Sequence, residues 1–228
     1  MSRGALQVLF RLCFAALIPL VSFIHYSLNK YRDGVRVLKT ALDDSIPMIS
    51  FFAIPYLYWF GYIFLALLYF AFREGKYYYR LLMSIVSGML TSFVFFIFFP
   101  TTVPRPEILT EDFFSRIVKY IYAMDNPYNV FPSIHVLNAV LVSAFLLSYV
   151  KRCLWNTNRK HAIVLILIST VSGITISLST VFIKQHYIPD VIGGAVLAIF
   201  YYVIFNHGHR LKIHTSSRSL SRDYPHAL

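Results

Sequence analysis

Residues 162–206 read AIVLILISTVSGITISLSTVFIKQHYIPDVIGGAVLAIFYYVIFN. Two apolar runs, about 162–183 and 190–206, flank one short polar break. A continuous apolar stretch of about 20 residues is what crosses a bilayer core. Neither run alternates apolar and polar residues, so both are read as helices and not as barrel strands. The second run is short, but its Gly193-Gly194 pair permits close packing against a neighbouring helix. The segment therefore predicts a hairpin of two membrane helices, with His186 and Asp190 held in its turn.

Four more runs of this kind precede it, at about 7–27, 46–72, 81–100 and 132–150. The expected fold class is all-α: a polytopic membrane protein built as a six-transmembrane-helix bundle. No internal repeat or low-complexity tract divides the chain, so residues 1–228 are read as one integral membrane domain ending in a basic tail, 207–228. The first run reads as an uncleaved signal anchor, since Arg11 interrupts its start and no small-residue cleavage site follows.

The composition agrees. Of 228 residues, 57% are hydrophobic and 14% charged, where soluble domains carry about 25% charged residues. This excludes a disordered chain and a disulfide scaffold. The formal charge of +11 is not a nucleic-acid signature, because the cations sit in short stretches between apolar runs. Cys13 and Cys153 form no CxxC spacing and imply no metal or disulfide framework.

Orientation follows from the cations in the connections. The N-terminus, the 73–80 and 151–161 loops and the tail hold twelve Lys and Arg residues. The 28–45, 101–131 and 184–189 loops hold eight, diluted by seven acids. Both termini are expected in the cytoplasm. Within 28–45, Tyr31, Val35, Leu38 and Leu42 recur at helical spacing between Lys30, Arg32, Arg36 and Lys39. That pattern fits an amphipathic surface helix and equally a solvated loop.

Three polar clusters break the apolar pattern: Pro104-Arg105-Pro106, Phe131-Pro132-Ser133-Ile134-His135, and Ser179 through His186 to Asp190. Six alternating spans bring all three to one face, extracytoplasmic by the charge count. His186 and Asp190 are four residues apart, so their side chains meet on one helix face or across the turn that precedes it. A carboxylate on one imidazole nitrogen fixes the tautomer and leaves the other as nucleophile or base. His135 lies in the first turn of its helix, with Pro132 expected as the first helical residue. Amides at such a start favour an anion, Ser133 adds a hydroxyl, and Arg105 offers a forked cation suited to phosphate.

Simpler explanations cover part of this. Arg105 alone is equally a topology charge, and Ser133 alone is a helix-start residue. His25, His161, His207 and His209 read as ordinary interfacial histidines. A zinc site on His135, His186 and Asp190 lacks HExxH-like spacing. What stands out is that His135 and His186 share one face, each with a helix-start signal or a carboxylate, near membrane depth.

The chain resembles the type 2 phosphatidic acid phosphatase (PAP2) superfamily, whose motifs are KxxxxxxRP, PSxH and SRxxxxxHxxxD. Pro132-Ser133-Ile134-His135 completes the second motif. The first keeps Arg105-Pro106 but has Phe98 at the lysine position. The third keeps Ser179, His186 and Asp190 but has Thr180 at the arginine position. The resemblance implies a six-helix bundle of PAP2/chloroperoxidase-like type and a membrane lipid-phosphate phosphatase. His186 would form a phosphohistidine, Asp190 would orient it, and His135 would protonate the leaving group. Arg105, Ser133 and Ser179 would bind the phosphate, with no metal or other cofactor. The substrate would be a phospholipid or an isoprenoid phosphate or diphosphate in the bilayer, with a cell or plasma membrane location. Lys184, Arg116 and Lys119 are cations available to replace the two missing ones.

The degraded cation positions also resemble the branch of sphingomyelin and inositol phosphorylceramide synthases. Those transfer a phosphoryl-alcohol group to a lipid hydroxyl. A catalytically weak phospholipid-binding or lipid-moving protein is the reading from another class.

Overall fold

A computed structural model describes the backbone of residues 3–220 and the side chains of residues 4–206. His207, His209 and the basic tail lie outside the described side chains. The helices are α1 (Arg3–Phe14), α2 (Leu17–Leu28), α3 (Ala41–Ser45), α4 (Ala53–Arg73), α5 (Gly75–Phe98), α6 (Phe113–Met124), α7 (Ile134–Tyr149), α8 (Arg159–Phe182) and α9 (Ile188–Leu220). Among the described residues only isolated bridges, Arg36 with Thr101 and Thr102 with Tyr128, stand in for strands.

Six segments are long and apolar enough to span a bilayer: Gly4–Leu28, Ser50–Arg73, Gly75–Phe98, Ile134–Leu154, Arg159–Phe182 and Ile188–Asn206. Each falls on one of the apolar runs. The fold is all-α and polytopic. The first span breaks at Ala15-Ala16, between α1 and α2. Beside the break, Arg11 Nη1 donates to the Ala71 carbonyl at 2.6 Å, so the charge inside the first run is spent on a neighbouring helix.

The span built on α7 is the hub. Two thirds of it is buried inside the protein, against 6% of the first span. It packs on α4, α5, α8 and α9. Its core residues Leu137, Leu141, Val142 and Phe145 are fully enclosed, while Phe64, Phe98, Leu167 and Val196 face outward from other spans. An apolar outside is what a lipid environment requires.

The connections settle one open reading and differ from expectation in two places. The 28–45 stretch contains only the short helix α3, opened by a capping box between Thr40 and Asp43. The amphipathic helix there does not form, because Arg36 is drawn into backbone pairing with Pro100 and Thr102. The 101–131 connection contains an unexpected helix, α6, whose N-cap Asp112 accepts from the amides of Phe114 and Ser115. Helix α7 begins at Ile134 with Ser133 as its cap, so Pro132 precedes the cap and is not the first helical residue. Ser133 wins because its hydroxyl accepts the Val136 amide at 3.4 Å, a bond proline cannot make.

Gly193 and Gly194 behave as read. A Cβ on Gly194 would collide with the Ser133 carbonyl, and one on Gly193 with the Phe131 ring. Their bareness brings α9 against the start of α7. The Ser133 amide then donates to the Asp190 carbonyl at 3.0 Å, tying the two helix starts together.

Candidate active site

The three polar clusters gather at one end of the bundle, around a cavity of about 440 Å³. The starts of α4, α7 and α9, the ends of α2 and α8, and the 101–131 connection meet there.

His186 lies in the turn before α9, two residues ahead of its first residue Ile188. The turn is pinned by the Thr180 carbonyl, which accepts the amides of Gln185 and His186 at 2.9 and 3.0 Å. Lys184 takes a left-handed φ of 55° to make this return. Asp190 is fully buried. Its Oδ2 accepts the Tyr187 amide at 2.9 Å and lies 3.5 Å from His186 Nδ1. That is close enough for charge pairing and longer than a direct hydrogen bond.

His135 is on the first turn of α7 and lines the same cavity. Its ring is clasped between Tyr56, at 4.4 Å between centroids, and Trp59, at 4.3 Å. It meets the His186 ring edge-on at 5.8 Å. The structure thus brings His135, His186 and Asp190 together, with both imidazoles on the cavity wall and the carboxylate behind one of them.

Arg105, Ser133 and Ser179 stand behind that wall. Arg105 Nη1 donates to the carbonyls of Tyr122 and Asp125 at 3.1 and 2.6 Å. Its Nη2 donates to Gln185 Oε1, and its guanidinium lies 4.5 Å over the Tyr122 ring. Burial pushes its pKa below the usual value, partly offset by the Asp125 carboxylate. Ser133 is engaged in its cap. Ser179 is buried and donates to the Ile176 carbonyl at 2.6 Å.

None of the candidate replacement cations reaches the cavity. Lys184 Nζ donates to the carbonyls of Ile46 at 2.5 Å and Asp43 at 3.3 Å. Lys119 pairs with Glu111, and Arg116 Nε donates to the Glu111 carbonyl at 2.8 Å. Short carbonyl and carboxylate partners nearby satisfy each of them first. Among the described residues no lysine or arginine lines the cavity, and no group of three His, Cys, Asp or Glu side chains is placed to hold a metal ion.

Three residues at the site escaped the sequence reading. His25, taken as interfacial, lines the cavity and packs on Phe96 at 5.8 Å. It sits at the end of α2 that the bundle brings to the site. Gln185 is 2% exposed; its Oε1 is fixed by Arg105, which leaves Nε2 without a partner on the cavity wall. Its place beside His186 was the available signal. Asp125, at the end of α6, lines the cavity and had no motif to announce it.

Fold and site together define a polytopic membrane protein with a paired-histidine, carboxylate-backed site at one end of its bundle. The family model of the PAP2 superfamily matches residues 76–213, more than half of the chain. The chain belongs to the PAP2 superfamily, and so to its phosphatase and phosphotransferase-type lipid enzymes. No curated protein and no solved structure matches it.

Proposed function

We propose that this protein is a membrane lipid-phosphate phosphatase that works through a phosphohistidine on His186. The observation that carries the reading is His186 on the cavity wall, beside His135, with the Asp190 carboxylate behind its Nδ1. The nearby Asp190 carboxylate favours the proton on Nδ1 by its charge, which leaves the Nε2 lone pair free. Nε2 attacks phosphorus, the P–O bond to the alcohol breaks, and His135 gives its proton to the departing oxygen. Water then attacks the phosphohistidine, His135 takes the proton back, the P–N bond breaks, and phosphate leaves. No metal is needed for either half.

Phosphoryl transfer needs positioned donors for the phosphoryl oxygens. Gln185 Nε2 is one such donor. The opening amides of α7, on the cavity-lining Ile134 and His135, are others. Arg105 supports these oxygens through Gln185 and through its field, Ser133 by capping α7, and Ser179 from within the end of α8. The charge count supports a site on the extracytoplasmic face, and the membrane proposed is the cell or plasma membrane.

One observation favours a second reading. Among the described residues the cavity wall carries no lysine or arginine, which suits a singly charged phosphodiester better than a doubly charged monoester. An alcohol would then replace water in the second half-reaction, giving a lipid phosphotransferase.

The test is a panel of lipid phosphates, diphosphates and phosphodiesters in chelator, with and without an alcohol acceptor, on detergent-purified protein and its His186→Ala variant. The expected result is His186-dependent release of phosphate. A new phospholipid without free phosphate replaces the phosphatase with the transferase. Neither product, from lipids that bind, overturns both and leaves a lipid-binding or lipid-moving protein.

A further inference from the structure

Beside the histidines, the cavity wall carries a second polar cluster that the phosphoryl chemistry does not use. Asn29 follows α2, Tyr56 is on α4 and Asp125 follows α6. All three line the cavity. Asn29 Nδ2 donates to Asp125 Oδ1 at 2.7 Å, and the Tyr56 hydroxyl donates to Asp125 Oδ2 at 3.0 Å. Asn126 Nδ2 secures the Asn29 backbone carbonyl at 2.9 Å. The cluster is therefore held rigidly from three elements.

Most of its free valences are acceptors. Asn29 is 6% exposed, one N–H of its amide goes to Asp125, and its Oδ1 has no partner. Each Asp125 carboxylate oxygen has one donor and room for another. A buried acceptor without a donor is costly. The cluster thus asks for a ligand that brings hydrogen-bond donors.

A phosphate dianion brings none and would face the carboxylate's charge. An ammonium head would bring donors and a charge. However, the Arg105 guanidinium already lies against the backbone carbonyl of Asp125, where its charge acts on the nearby carboxylate. The charged and titratable groups around the carboxylate are thus Arg105, Tyr56 and His25, and none calls for a second cation. Hydroxyl groups match what is left.

We propose that Asn29 and Asp125 form a hydroxyl-binding subsite that recognises an uncharged polyhydroxy alcohol, either joined to the phosphoryl group as a lipid head or free in the cavity. This rests on the phosphoryl-transfer reading for its purpose, but not for its binding chemistry. It also assigns a role to Asn29, which precedes the stretch matched by the family model.

The test separates the two claims by using binding without turnover. His186→Ala protein in detergent is titrated with labelled phosphatidylinositol, phosphatidylglycerol, phosphatidylethanolamine, phosphatidylcholine and phosphatidate, and competed with free inositol and glycerol. The hydroxylated lipids are expected to bind about tenfold or more better than the others. Adding Asp125→Asn or Asn29→Leu should cut that preference by about tenfold. Competition by free polyol assigns the subsite to a separate alcohol, and its absence assigns it to a lipid head.

A preference for the ethanolamine or choline lipid overturns the proposal. So does a preference that survives both substitutions, or variants that weaken all lipids equally. Turnover in the wild-type protein is scored separately. Its absence alongside an Asp125-dependent preference sinks the reaction and leaves the subsite standing.

Discussion

Gln185 presents an amide donor at a site that lacks two cations of the family pattern. Phe98, at the lysine position, is 80% exposed on the outside of α5. Thr180, at the arginine position, is buried and donates from its hydroxyl to the Ser177 carbonyl at 2.8 Å. Arg105 remains, but its two Nη groups are engaged by two carbonyls and by Gln185. The net result is one oriented side-chain amide donor next to His186. Gln185→Leu is therefore expected to lower turnover by about ten- to a hundredfold with the protein still folded. Steady-state kinetics beside a thermal melt check this. Arg105→Lys should not rescue, since a single ammonium cannot hold three acceptors in one plane. His135, His186 and Asp190 were legible in the sequence because each sits at a helix start with a spaced partner. Gln185 had only its place beside His186 to mark it, and His25 and Asp125 were not legible, because their meaning depends on which ends of α2 and α6 the bundle brings to the cavity. Periodicity along one segment does not carry that.

At the scale of elements, the approach of α9 to α7 decides the site. Gly194 allows it, and the bond from the Ser133 amide to the Asp190 carbonyl registers it. In Gly194→Ala the new methyl meets a backbone carbonyl and the Val136 side chain, which cannot move away. Overpacking of this kind costs about 1–3 kcal/mol. Gly88→Ala instead meets the flexible end of the Leu137 side chain and should cost less. Unfolding midpoints of the two variants in the same detergent test the order. Ser133→Ala removes the α7 cap and should cost about 1 kcal/mol, read in the same assay. The apolar runs made the six spans legible, since length and composition define a membrane helix. The irregular 28–40 segment and α6 were harder to read. One is held by backbone pairing to the 101–102 segment, and the other is too short and too polar to register as a span.

Across the whole molecule, the six spans put the 101–131 connection and the 151–158 loop at opposite ends. From the cation count we propose that the first lies outside and the second in the cytoplasm. A cysteine at the exposed position Glu107, with Cys13 and Cys153 replaced, should react with a membrane-impermeant maleimide in intact cells. Cys153, itself exposed on the protein, should react only after the membrane is opened. The reverse pattern would invert the protein and put the cavity on the cytoplasmic side.

The most direct measurement of the central claim is to trap the covalent intermediate. Protein is mixed briefly with phosphorus-labelled lipid phosphate, quenched in alkali and digested, and the label is located by mass spectrometry. The account predicts an acid-labile, alkali-stable phosphoryl group on His186 that is lost in His186→Ala together with turnover. Turnover that continues in His186→Ala, or label on another residue, would contradict it.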